Sequence, residues 1–111
     1  MNALEELSVL LKPAGGGLYL VSTGKAEQQA LQRRFYDAAG DDDISTKYRA
    51  SLASIAKARV VMLGIPSDVG AGFRRGANLG PQSIRLRLLE DDPRFPAWCK
   101  QNGVVDAGDV L

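Results

Sequence analysis

The chain has 111 residues, enough for one domain with a small core, and its fourteen Lys and Arg against thirteen Asp and Glu leave a formal charge of +1; no global field draws it to nucleic acid or to an anionic membrane, and neither is expected as a partner. It contains no histidine, which removes the commonest general base and the commonest transition-metal ligand. The single cysteine, Cys99, excludes an intrachain disulfide and fits a reducing compartment, so the expected location is the cytoplasm.

The N-terminus carries acids where a signal peptide carries bases, and no apolar stretch approaches the roughly 18 residues of a membrane span. Leu4, Leu7, Leu10 and Leu11 recur at spacings of three and four, which predicts an amphipathic helix over Asn2 to Lys12, ended by Pro13 and the glycines at 15–17. Gly17 to Gly24 reads as a short strand. Lys25 to Gly40 reads as a helix with Ala26, Ala30, Leu31, Phe35 and Ala38 on one side and Gly40 closing it. Asp41, Asp42 and Asp43 lack the spaced oxygen ligands of a cation site and are read as a solvated loop or cap before a helix from Ile44 to Ala58.

At Arg59 the periodicity changes. Ala58 to Ile65 is a continuous apolar run of strand length, the pattern of a parallel-sheet strand covered on both faces. A helix is predicted from about Pro81 to Glu90, with Pro81 in its first turn, Ile84 and Leu88 facing the sheet and Arg85 reaching solvent. A short irregular or helical piece spans Phe95 to Lys100, with Phe95 and Trp98 as core contacts, and Asn102-Gly103 turns into a second strand, Val104 to Leu111. Strand, helix, strand is a βαβ unit with a right-handed crossover. Residues 1–57 are therefore read as a helical extension and 58–111 as the βαβ unit.

Between the first strand and its helix lies a stretch with Gly64, Gly70, Gly72, Gly76 and Gly80 and the pair Arg74-Arg75. One reading is phosphate binding by a Gly-x-Gly turn, but the third glycine, Gly76, comes one residue late for Gly-x-Gly-x-x-Gly and the helix begins only after Gly80. Another is a plain surface loop whose glycines serve left-handed backbone positions, although long irregular loops in compact domains are uncommon unless functional.

Taken together, Gly64-x-Pro66, the glycines at 70 and 72, Gly76-Ala77-x-x-Gly80-Pro81, Ile84-Arg85 and Asp106-x-Gly108-Asp109 resemble the opening of the arginase, agmatinase and formimidoylglutamase family, the ureohydrolases. The resemblance covers Val60 to Leu111. It implies an α/β chain that forms the N-terminal part of a three-layer α/β/α parallel-sheet fold, with two manganese ions at the strand ends and a metal-bound hydroxide attacking a small guanidino or amidino substrate. It also implies a homo-oligomer. In the family the metal ligands are histidines and aspartates in later motifs, absent here, so the chain is expected to be an N-terminal piece that is inactive alone and holds no metal itself. By the same analogy Asp68, Gly70, Gly72, Phe73, Arg74 and Arg75 line the substrate entrance at the C-terminal edge of the sheet, while Gly64, Pro66, Gly76, Gly80, Pro81, Arg85, Asp106, Gly108 and Asp109 are structural. The contrasting expectation is a non-catalytic binding or regulatory α/β module, with a nucleotide-binding domain as a third. Asp106 and Asp109 tempt as a catalytic carboxylate pair, but turn-holding roles are the reading adopted. Cys99, with no histidine to activate it, is expected to be inert.

Overall fold

The structure, a computed structural model, describes residues 2–15, 22–67 and 79–110. In chain order these form α1 (Ala3–Leu10), β1 (Leu11–Lys12), α2 (Ser22–Tyr36), a 3-10 turn (Asp41–Asp43), α3 (Ile44–Ala53), a second 3-10 turn (Ser54–Lys57), β2 (Val60–Gly64), α4 (Gly80–Asp91), α5 (Phe95–Gln101) and β3 (Val104–Val110). The described fold is mixed α/β, with a three-stranded mixed sheet in the order β1-β3-β2.

The expected parallel pairing of the two strands is present, with the first of them shorter than the apolar run, Val60–Gly64. β2 and β3 pair in parallel, with Val60 opposite Val104, Val61 opposite Val105 and Met62 opposite Asp106, and α4 crosses between them. The antiparallel partner β1 was not foreseen: the first helix stops at Leu10, and Leu11 and Lys12 turn extended and pair with Val110 and Asp109. Two hydrogen-bonded residues are too few to leave a period-2 signature in the sequence.

Local chemistry explains the helix ends. α1 is capped by the Asn2 side chain, which accepts the Glu5 N–H at 2.9 Å, and its first turn carries Glu5 and Glu6 where the helix dipole favours acids. α2 takes in Ser22 to Gly24, so that part of the expected strand is helical; residues 17–21 lie outside the described set. It closes at Asp37, not Gly40: Asp37 adopts φ 54 and the Ala38 N–H reaches back to the Arg33 carbonyl at 3.0 Å, a Schellman-type ending that an aspartate tolerates. Its inward stripe also differs from the alanine-rich one expected. Gln28, Leu31, Gln32 and Tyr36 are buried and Ala26 is exposed, because the two glutamine side chains have backbone carbonyls to bond.

The core gathers Ala14, Tyr36, Tyr48, Leu52 and Ala107, with Leu4, Leu11, Phe35 and Ile55 packed around it. Ile44, Tyr48 and Leu52 form the buried stripe of α3 at four-residue spacing. The Tyr36 and Tyr48 rings meet edge to face, 5.2 Å apart, and both hydroxyls are used: Tyr36 Oη accepts the Ala14 N–H at 3.0 Å and Tyr48 Oη donates to the Ala107 carbonyl at 2.7 Å.

Two burial expectations are overturned. β2 is not covered on both faces; it is an outer strand among the described residues, and Val60, Val61 and Leu63 are 54%, 43% and 50% exposed. Trp98 is 52% exposed, stacked on Phe95 at the surface and not in the core. No helix among the described residues is long and apolar enough to cross a membrane.

Candidate functional site

In an unbroken strand, residues three apart point to opposite faces. β3 breaks that rule. Met62 pairs with Asp106 but Gly64 pairs with Asp109, so β2 advances two residues while β3 advances three, and Gly108 absorbs the extra residue at φ 81. Asp106 and Asp109 are thereby brought to the same side of the sheet, towards α4. A Cβ at Gly108 would collide with the Lys12 carbonyl and one at Gly64 with the Asp109 carboxylate, so both glycines are there for close approach.

Into this bulge α4 delivers Arg85. Its Nε donates to Asp106 Oδ2 at 2.8 Å and its Nη2 to Asp106 Oδ1 at 2.9 Å, a bidentate grip; Nη1 donates to Asp109 Oδ1 at 2.6 Å and Nη2 also reaches the Gly108 carbonyl at 3.1 Å. Backbone adds two more donors: Asp106 Oδ1 accepts the Gly108 N–H at 2.9 Å, and Asp109 Oδ2 accepts the Gly15 N–H at 3.1 Å. Gln28 and Gln32 of α2 extend the network, donating to the carbonyls of Gly15 at 2.6 Å and Ala14 at 3.0 Å.

The expected orientation of α4 is therefore reversed at one position. Arg85 is buried, 5% exposed, while Ile84 is 63% exposed; Leu89 is buried and Leu88 half-buried. Periodicity counts an arginine as a solvent-facing residue, and only a pair of acids waiting on the sheet makes the opposite orientation favourable.

Burial pushes the Asp106 carboxyl above its ordinary range, against the downward pull of Arg85 and the Gly108 N–H, and the nearby Asp109 pushes the same way as burial. For Arg85, burial opposes the charge, but the hydrogen bonds and charge of Asp106, then those of Asp109, outweigh it and raise the pKa above the usual arginine value. Both core tyrosines are raised, first by burial and then by Asp106. Burial, then Asp106, raises the Cys99 thiol to about 11, so it is held protonated.

Of the residues singled out in the sequence, Gly64, Pro81, Arg85, Asp106, Gly108 and Asp109 meet around this cluster; Pro66 is half-buried just beyond β2, and Gly80 opens α4 with free space where a Cβ would stand. Asp68, Gly70, Gly72, Phe73, Arg74, Arg75 and Gly76 lie outside the described residues. Sequence reasoning missed Gln28, Gln32, Tyr36 and Tyr48; the four-residue spacing of the glutamines within an apolar stripe was the available signal.

The arrangement is a clamp. All four carboxylate oxygens of the pair accept hydrogen bonds and both side chains are buried, so neither acid has the solvent access that a general base needs. Comparison with protein-family models, with curated proteins and with solved structures finds no match.

Proposed function

We propose that this chain is the N-terminal part of a metal-dependent ureohydrolase, a hydrolase of a guanidino or amidino C–N bond of the arginase, agmatinase or formimidoylglutamase type. The observation that carries the reading is the convergence of the motifs behind the resemblance. Gly-x-Pro, Gly-Pro, Ile-Arg and Asp-x-Gly-Asp are spread over 46 positions from Gly64 to Asp109, yet Gly64, Pro81, Arg85, Asp106, Gly108 and Asp109 make one buried cluster at the C-terminal ends of two parallel strands.

The residues present do not fit a two-manganese centre. The sequence has no histidine, the converging acids spend their oxygens on Arg85 and backbone N–H groups, and no group of three or more acids or cysteines is gathered among the described residues. The part assigned to this chain is the edge of the sheet and its clamp, with the chemistry supplied by polypeptide that follows. The reading frame beyond Leu111 tests this. It is expected to encode the Gly-Gly-Asp-His, Asp-Ala-His-x-Asp and Ser-x-Asp-x-Asp motifs, and the longer protein to hydrolyse a guanidino or amidino compound when given manganese. A continuation without those motifs, or a natural stop at Leu111, overturns the proposal.

The exposed apolar side chains of Val60, Val61, Leu63 and Ile65 favour one second reading, a non-catalytic binding module that associates with itself through β2, an outer strand among the described residues. Size-exclusion of the chain, with Val61→Lys and Leu63→Lys as variants, separates a monomer from a β2-mediated oligomer.

A further inference from the structure

A cavity of about 670 Å³ opens between α3 and α5, beside the first residues of β3. Small-molecule sites occupy roughly 300–1,000 Å³. Gly103 and Val104 place its mouth towards the N-terminal end of the parallel strands, away from Gly64 and Asp109, and Asp106 is the one residue it shares with the Arg85 clamp. The cavity does not depend on the ureohydrolase reading.

Its walls combine two chemistries. Phe35, Met62, Pro96, Val104 and Val105 supply an apolar lining. Around them stand Arg34 of α2, Lys47 of α3, Lys57 of the following turn and Lys100 of α5, and none of these four forms an ion pair among the described residues. The acids on the cavity are Asp37 and Asp106, and Asp106 is already held by Arg85. Four basic residues thus line the cavity beside one acid that is not held in an ion pair among the described residues, on a chain whose whole formal charge is only +1. Like charges converging on a partly enclosed apolar hollow focus a positive potential there. The Ser51 side of α3 also lines the hollow and adds a hydroxyl-bearing residue.

We propose that this cleft binds a small organic anion that joins an apolar body, aromatic or branched, to a carboxylate, sulfonate or phosphate head. The apolar body accounts for the lining and the anionic head for the unpaired cations; a neutral hydrophobe leaves the cations unanswered, and inorganic phosphate leaves the lining wet.

Fluorescence titration of the full chain with 8-anilinonaphthalene-1-sulfonate, and in parallel with its uncharged counterpart N-phenyl-1-naphthylamine, tests both halves of the claim. The sulfonate is expected to bind about tenfold or more tightly than the neutral probe and to weaken as salt rises. Lys47→Gln, Lys57→Gln and Lys100→Gln combined should cost the sulfonate about tenfold while leaving the neutral probe unchanged. Ala97→Trp, at an exposed position lining the cleft, should block both probes. Equal affinity for the two probes, or a triple variant that binds the sulfonate like the parent, overturns the proposal. The three lysines are exposed, so the triple variant should melt with the parent and remains decisive even should the tryptophan variant not fold.

Discussion

Replacing Arg85 by methionine keeps most of the side-chain volume and removes the charge that Asp106 and Asp109 share. Three charge-assisted hydrogen bonds disappear, two to Asp106 and one to Asp109, and two carboxylates that are 6% and 2% exposed are left facing each other without a cation. Removing one partner of a buried pair costs about 3–5 kcal/mol, and a domain of this size has only about 5–15 kcal/mol in total. With a urea m-value of about 1–3 kcal/mol/M, the midpoint should fall by roughly 1–5 M. The control is Arg87→Met on the same helix, whose pair with Asp91 is 74% and 61% exposed and is worth at most about 0.5 kcal/mol. Adding Asp106→Asn to Arg85→Met should recover part of the loss, because one of the stranded charges is then gone. Urea unfolding followed by circular dichroism reads all four proteins. An Arg85→Met midpoint no lower than that of Arg87→Met would refute the idea that the clamp holds the sheet and α4 together.

Gly108→Ala should destabilise by about 2 kcal/mol or more, since it combines a positive φ with a collision against the Lys12 carbonyl, whereas Gly80→Ala, at an unobstructed helix start, should be neutral or stabilising by up to about 1 kcal/mol; melting curves compare them. The Asp106 carboxyl is raised in the folded chain above its ordinary 3.8, so the native state holds that proton more tightly and its contribution is present below 3.8 and lost as pH rises through the folded value. The stability of the parent relative to Asp106→Asn should therefore fall with rising pH across that window and then level off, and a difference that rises instead contradicts the assignment. Cys99, raised to about 11 by burial and then Asp106, should react with a disulfide reagent at pH 8 roughly a hundredfold more slowly than a free thiol and at the free-thiol rate in urea.

The elements that sequence reading places correctly owe their clarity to local rules. The apolar run from Ala58 to Ile65 reads as a strand and contains the one observed at Val60–Gly64, Pro81 marks a helix start, and Asn102-Gly103 marks a turn, each from chemistry within a few residues. What escaped depends on a partner distant in sequence. Arg85 turns inward because of acids 21 and 24 residues further on, and β1 exists because Val110 and Asp109 offer it hydrogen bonds. The exposure of β2 was missed for the related reason that an apolar run reports what a strand requires, not what the chain at hand provides to cover it.

The clamp also bears on why so small a core contains three ionised groups. Tyr36, Tyr48 and Leu52 would accept a range of apolar neighbours, and a sheet of two well-formed strands specifies its register weakly. The bulge at Gly108 changes that. Only with Met62 opposite Asp106 and Gly64 opposite Asp109 do both carboxylates reach the same guanidinium, and only there does the Gly15 N–H find Asp109. A slip of β3 by one residue turns Asp106 and Asp109 away from α4, strands Arg85 in the interior, and sets a side chain where Gly108 now clears Lys12. Leucines in place of these charges would impose no comparable penalty on the slipped pairing, so the ion cluster ties strand register, the direction of α4 and the docking of the first fifteen residues to a single arrangement.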